Sequence, residues 1–167
     1  MKPPNVAGAT WLSRVVLLIA FCAVLLHSHP ASAGRWAADT LSNDDASDLL
    51  NQIVTNGGLE AIRSALNAAL ISASPVNDEK ASRALAAAEM VAAMMGDPSR
   101  HLPAPCKEWA RLHSMDANRY LVQSAVGAVD RIVKDSETQE LMQEGGRNNL
   151  QEWQVNVANL QARLIGR

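Results

Sequence analysis

Aromatic side chains and cysteines are scarce in this sequence. Its 167 residues include one phenylalanine, one tyrosine and two cysteines. Strands favour aromatic and β-branched residues, and no segment keeps the alternation of apolar and polar residues that marks a strand. The sequence therefore argues against a β-sheet fold.

A basic surface and a recognisable catalytic motif are also missing. Residues 34–167 hold all 17 acidic residues and all of the 15 basic residues except Lys2 and Arg14, so this part is net acidic. Its basic residues are scattered, which argues against a nucleic-acid partner or an anionic membrane surface. No GxSxG, SxxK, HExxH, Walker or GxGxxG motif occurs, and no cofactor is predicted.

The first residues predict a secretory signal peptide. Lys2 and Arg14 precede the uncharged apolar run 15–26, and Pro30 is followed by small residues up to Ala33. This order of a basic region, an apolar region and a small-residue cleavage site is typical of exported proteins. The run is shorter than the roughly 20 residues that cross a bilayer core. We expect cleavage after Ala33 and no stable membrane span afterwards.

Cleavage would leave Cys106 as the remaining thiol, because Cys22 lies within the signal peptide. An intrachain disulfide is then excluded. In an oxidising compartment a lone cysteine is either shielded by burial or available for a disulfide with another chain. We expect burial, with the intermolecular disulfide as the alternative.

Helix-capping residues and apolar residues spaced by three and four predict an all-α fold. We expect one compact domain over residues 34–167, an irregular or orthogonal bundle of about five to seven helices. Residues 84–95 are apolar on nearly every face, which predicts a central, enclosed helix. The predicted helices span about 43–55, 59–72, 79–95, a short segment through Trp109, 115–134, 136–144 and 149–165, with Asn43, Asn77, Ser136 and Asn149 among the capping residues.

Acidic residues at the first helix form one candidate site. Asn43, Asp44, Asp45 and Asp48 are close enough on a helix for their oxygens to converge on a hard cation. An EF-hand is excluded because Asp48 stands where that loop requires glycine. The alternative is capping, in which Asn43 or Asp44 accepts backbone N–H bonds and the other carboxylates favour the helix dipole.

Glu89 is the second candidate, because its neighbours one turn away are leucine and alanine. A carboxylate on an apolar surface needs a partner, and the same environment prepares a general acid in enzymes. Contact with Asp44 and Asp45 would merge the two candidate sites. A structural partner is expected among Arg63, Arg111, the Trp36 indole and the backbone near Asn43.

The remaining metal-ligating residues are too few and too far apart for a site. Zinc needs three or four ligands, and the helix between Cys106 and His113 separates them by about 10.5 Å. With His101 as the other histidine in this region, no metal site is predicted. Trp36, Trp109 and Trp153 are expected to be packing residues.

The residues Gly34-Arg35-Trp36-Ala37, followed by 41–48, resemble the opening of a bacterial family known as domain of unknown function 4259. The alanine-rich segment 84–93 with its embedded glutamate is similar to a helix of that family, and Trp153 and Leu160 fall in segments similar to its closing helices. The family has no assigned activity. The resemblance therefore implies a bacterial origin and the extent of the domain, and nothing about chemistry.

These patterns favour an exported protein, periplasmic or extracellular, that acts as a non-enzymatic binding or interaction domain for a protein or small molecule. The alternative is a small hydrolase-like enzyme or a cation-binding protein that uses Glu89 with Asp44 and Asp45. Glu89 is the candidate catalytic residue. The candidate binding residues are Trp36, Asn43, Asp44, Asp45, Asp48 and Glu89.

Overall fold

A computed structural model describes residues 39–166. The predicted signal peptide, residues 1–33, and the candidate residue Trp36 lie outside the described residues. None of the helices in 39–166 combines the length and the apolar character that a membrane span needs.

Residues 39–166 form seven α-helices and no strand, so the all-α prediction is confirmed. A π-helical turn, Ile53–Gly57, joins the first two helices, and a 3-10 turn, Ser114–Asp116, precedes the fifth. The helices are α1 Asp44–Gln52, α2 Gly58–Leu70, α3 Asp78–Met94, α4 Ala104–Leu112, α5 Arg119–Lys134, α6 Glu137–Glu144 and α7 Arg147–Ile165.

Three of the predicted capping residues start helices in the structure. The Asn43 side chain accepts from the backbone N–H of Ala46 at 2.8 Å, and Asn77 does the same for Lys80 at 3.1 Å. The Ser136 hydroxyl accepts from the N–H of Gln139 at 3.3 Å. Each side chain satisfies an N–H group that the first helical turn leaves without a partner.

Other predicted boundaries are wrong by a few residues. The first helix was expected to reach residue 55, but α1 ends at Gln52 and continues as the π turn, which Gly58 closes at φ 50. The last helix starts at Arg147 after Gly146 at φ 106, so Asn149 lies inside its first turn and is not a cap. Both glycines adopt left-handed backbone that other residues rarely take, which ends the π turn at Gly57 and sets the start of α7 at Arg147.

Helix α3 is the centre of the bundle, as predicted. Every residue from Ala84 to Met94 is buried, and α3 packs against each of the six other helices between residues 39 and 166. Its alanines present little side-chain volume, which lets neighbouring helices approach its backbone. A polar residue in this stretch is therefore enclosed from several sides.

Helix α3 ends at a glycine turn that starts one wall of the candidate site. Gly96 adopts φ 94, and its N–H donates to the carbonyl of Ala93 at 3.0 Å. The N–H of Asp97 donates to the carbonyl of Ala92 at 3.1 Å. These two bonds form a Schellman motif, which ends the helix and sends the chain into the loop before α4.

Candidate functional site

Glu89 lies within the apolar core of α3, and its side chain is 3 % exposed. The residues one turn away, including Leu85 and Ala93, are buried and offer no polar contact. Removing a carboxylate from water costs free energy that partners must offset. The partners of Glu89 therefore have to come from other parts of the chain.

Arg163 of α7 is the charged partner of Glu89. Its Nη2 lies 2.6 Å from Glu89 Oε1, and its side chain is 17 % exposed. The Nη1 group of Arg163 donates to the backbone carbonyl of Asp97 at 3.2 Å. The guanidinium thus bridges the buried carboxylate and the loop that follows α3, which fixes the last turn of α7 against both.

The two arginines that the sequence suggested as partners, Arg63 and Arg111, do not contact Glu89 in the described part of the chain. Arg111 pairs instead with Glu108 on the surface of α4, and the hydrogen bond lowers the pKa of the Glu108 carboxyl below its usual value. Arg63 lies elsewhere, beside a surface pocket with Tyr120. Arg163 immediately precedes Leu164, which belongs to the apolar stripe of α7. This position beside the stripe is the feature of the sequence that could have indicated Arg163 as the partner of Glu89.

Thr40 supplies the second contact to the carboxylate. Its hydroxyl donates to Glu89 Oε1 at 3.3 Å, and Thr40 is buried. The turn that positions Thr40 is held by Asp39, whose Oδ1 accepts from the N–H of Leu41 at 3.1 Å and whose Oδ2 accepts from the Ser42 hydroxyl at 2.9 Å. The segment just before Asn43 therefore contacts Glu89 through the Thr40 side chain. The sequence had suggested a backbone group of this segment as the partner.

Both contacts use the same oxygen of Glu89. Oε2 is buried and has no hydrogen-bond partner among the described residues. A carboxylate paired with a guanidinium is an acceptor only, and each of its oxygens accepts more than one hydrogen bond. Glu89 therefore keeps an unused acceptor beside a satisfied one.

The carboxylate lies at the floor of a groove of about 830 Å³. One side is formed by Asp39 and Thr40, another by residues 95–101, and the third by the last turns of α7. Volumes of about 300–1,000 Å³ are usual for sites that hold small molecules. The groove is open to solvent, and the buried residues of its lining, which form its floor, are Glu89 and Thr40.

His101 connects two walls at the rim of the groove. Its Nδ1 lies 3.6 Å from Asp39 Oδ2, and its Nε2 accepts from Arg100 Nε at 2.7 Å. An acceptor at Nε2 places the ring proton of the neutral form on Nδ1, on the side of Asp39. The sequence suggested His101 only as a possible metal ligand. Its position at the rim of the groove follows from the turn at Gly96, which directs the loop after α3.

The acidic residues of the first helix lie outside the groove. Asn43 caps α1, whereas Asp44 and Asp48 are exposed and Asp45 is half-buried. Asp44, Asp45 and Asp48 do not line the groove above Glu89. In residues 39–166, no three histidine, cysteine, aspartate or glutamate side chains gather as metal ligands.

Cys106 and Trp153 are part of the hydrophobic core, and Trp109 packs against it. Cys106 is buried, and burial raises the pKa of its thiol above the ordinary value. His113 stacks on Trp109 with ring centroids 3.9 Å apart and its Nδ1 lies 2.8 Å from the Trp109 carbonyl, so its ring is held beside that residue. Trp153, on α7, is buried, as expected for a packing residue.

Comparison with known proteins identifies a family and no activity. No curated protein and no solved structure matches the chain. The family model described as Domain of unknown function (DUF4259) matches residues 34–156, which is most of the chain. The match includes Thr40 and Glu89 and ends before Arg163. The chain belongs to the DUF4259 family.

Proposed function

We propose that this chain is an exported, non-enzymatic binding protein whose groove above Glu89 and Arg163 holds a small polar molecule. The observation that supports the proposal is Glu89, whose Oε2 is buried without a partner among the described residues and whose side chain belongs to the lining of an 830 Å³ groove. A buried acceptor without a hydrogen bond costs about 1–3 kcal/mol. A ligand that donates to Oε2 offsets this cost and thus binds to a preformed acceptor.

The floor is held in place independently of any ligand. Arg163 fixes Oε1 at 2.6 Å and is itself tied to the backbone of Asp97, while Thr40 donates from the opposite segment. Groups held by packing and hydrogen bonds lose little entropy when a ligand arrives. This arrangement supports binding to a rigid site.

Export is part of the proposal and is supported by the sequence. The basic and apolar regions before Ala33 have the order of a signal peptide. A single buried thiol, Cys106, is compatible with an oxidising compartment because it is shielded from disulfide exchange. The site would then meet molecules of the periplasm or the exterior.

The enzymatic alternative depends on the same oxygen of Glu89. A carboxylate that pairs with Arg163 has an acceptor to offer, which suits a general base better than a general acid. Asp44 and Asp45 lie outside the groove, so a second carboxylate for chemistry would have to be Asp39 or Asp97, which line it. We favour binding because Asp39 lies 3.6 Å from His101 and Asp97 is exposed, so neither is a buried acid prepared for proton transfer.

Amide chemical shifts of the purified protein test the binding proposal. We would add D-glucose, L-lysine, L-glutamate, spermidine and inorganic phosphate, each up to about 10 mM, a range that detects weak binding. At least one probe should shift the signals of Thr40, Glu89 and Arg163 with saturation. If none of the five moves these signals, the groove is not a small-molecule site and the proposal is wrong.

Two variants assign the shifts to the groove. Asn159→Trp places a large side chain at an exposed position of its wall and should abolish them. Asp44→Asn changes an exposed charge outside the groove and should leave them unchanged. Shifts that survive Asn159→Trp would place binding elsewhere and contradict the proposal.

A further inference from the structure

We infer that the ligand of the groove is a neutral polyhydroxy compound, a sugar or a polyol, one of whose hydroxyls donates to Glu89 Oε2. This inference rests on the proposed binding function and goes further, because it names the chemical class of the ligand.

The floor favours a neutral donor. Glu89 carries one negative charge, and the Arg163 guanidinium at 2.6 Å already balances it. A cationic ligand at Oε2 would place a second positive charge beside Arg163, whereas an anionic ligand would face the free carboxylate oxygen. A like charge added beside a largely buried ion pair is repelled. A hydroxyl donates to Oε2 without adding charge.

The walls carry groups of both signs. Asp39 lies 3.6 Å from His101, and Asp97 and Arg100 stand on the same loop. Carboxylates accept hydrogen bonds and guanidiniums donate them, so the groove offers both kinds of group side by side. Adjacent hydroxyls, each of which donates and accepts, match such a lining better than a ligand with donors only or acceptors only.

Apolar groups are placed among these polar ones. Met95, Pro98 and Ala162 also line the groove, and Met95 is 39 % exposed. A sugar ring presents C–H groups on its faces and hydroxyls around its edge, so it contacts both kinds of surface at once. Ligand sites commonly combine an apolar surface with a few placed polar groups in this way.

Three probes with the same carbon framework test the class of ligand. D-Glucose is neutral, D-glucosamine carries an ammonium and D-gluconate carries a carboxylate. Titrations followed by amide shifts should give the tightest binding for glucose, with each charged relative weaker by about 10-fold or more. Raising the salt from about 0.05 to 0.5 M should leave glucose binding unchanged, because screening acts on charges.

Glu89→Gln tests the contact at the floor. Glutamine keeps the shape but loses the charged acceptor, so glucose affinity should fall by about 10-fold or more. Asn159→Trp, at an exposed position of the groove wall, should abolish glucose binding even if Glu89→Gln fails to fold. Glucose binding that survives in a folded Asn159→Trp or Glu89→Gln protein would overturn the inference.

The outcomes separate the two proposals. Groove shifts with glucosamine, gluconate or another charged probe, and none with glucose, overturn the inference about the class while the binding function stands. Groove shifts with none of the probes overturn both. Shifts with glucose that are lost in Asn159→Trp and independent of salt support both.

Discussion

Glu89 and Arg163 lie 74 residues apart in the sequence and meet at 2.6 Å, where they join the central helix to the last helix. The contact uses one oxygen of the carboxylate and leaves the other unpartnered within the part of the chain that the structure describes. Thr40, at the other end of this part, donates to the same oxygen as Arg163. One buried charge therefore holds three distant segments around the groove.

Removing Arg163 should destabilise the protein strongly. Arg163→Ala leaves the Glu89 carboxylate buried without its counter-charge, which costs about 3 kcal/mol in the free energy of unfolding. Urea unfolding followed by circular dichroism measures the loss. In a double-mutant cycle, adding Glu89→Gln to Arg163→Ala should restore part of the stability, because the uncompensated charge is gone.

An exposed ion pair provides the matched control for this cycle. Glu108 and Arg111 meet at 2.7 Å on α4, but both side chains are more than half exposed. Arg111→Ala should leave the urea midpoint nearly unchanged, because exposed pairs contribute little. Equal losses for Arg163→Ala and Arg111→Ala would mean that burial of the Glu89 pair has no energetic consequence.

The acidic start of α1 should act through capping. Asn43→Ala removes the acceptor for the N–H of Ala46 and should lower the free energy of unfolding by about 1 kcal/mol. Asp44→Asn should have a smaller effect, because Asp44 is exposed and acts only on the helix dipole. Thermal unfolding with and without Ca²⁺ completes the test. A melting temperature that rises with Ca²⁺, and no longer does so in Asp44→Asn, would show a cation site here.

Cys106 should make the protein less stable in alkaline solution. Burial raises the pKa of the folded thiol above the ordinary value of 9.0, so the unfolded thiol loses its proton first as the pH rises. The unfolded state then binds fewer protons than the folded state, and stability falls with pH above about 9 until the folded thiol also ionises. Below that pH the thiol is protonated in both states and contributes no pH dependence.

Comparison with Cys106→Ala isolates this effect from other groups that titrate in the same range. The difference in free energy of unfolding between the two proteins should be constant up to about pH 8. Above that pH the wild type should lose stability relative to Cys106→Ala. Thiol reagents should label Cys106 slowly in the folded protein and quickly in urea. Fast labelling without denaturant would show that the thiol is accessible, as an intermolecular disulfide requires.

The sequence predicted the fold class and most helices because these depend on local signals. Asn43, Asn77 and Ser136 cap helices with their own side chains, and residues 84–94 leave that part of α3 no exposed face. Asn149 failed as a cap because Gly146, three residues earlier, turned the chain first. Local patterns compete with one another at such boundaries.

The candidate site was predicted only in part. Glu89 was identified because a glutamate in an alanine-rich helix is conspicuous without knowledge of its surroundings. Arg163, Thr40 and His101 were missed as its neighbours, because their places depend on how α7 and the loop after α3 pack together. The sequence also drew attention to Asp44 and Asp45, which the structure places outside the groove.

The predicted signal peptide leads to a test of export by intact mass. If the chain is exported and cleaved after Ala33, protein recovered from the periplasm or the medium should have the mass of residues 34–167. A substitution of Ala33 by Gln should block cleavage, because the site requires a small residue, while Ala38→Gln, beyond the predicted site, should leave cleavage unchanged. Retention of Met1 in the exported protein, or a first residue far from Gly34, would contradict the predicted cleavage. Protein found only inside the cell would contradict export itself, and the ligand of the groove would then have to be sought among intracellular compounds.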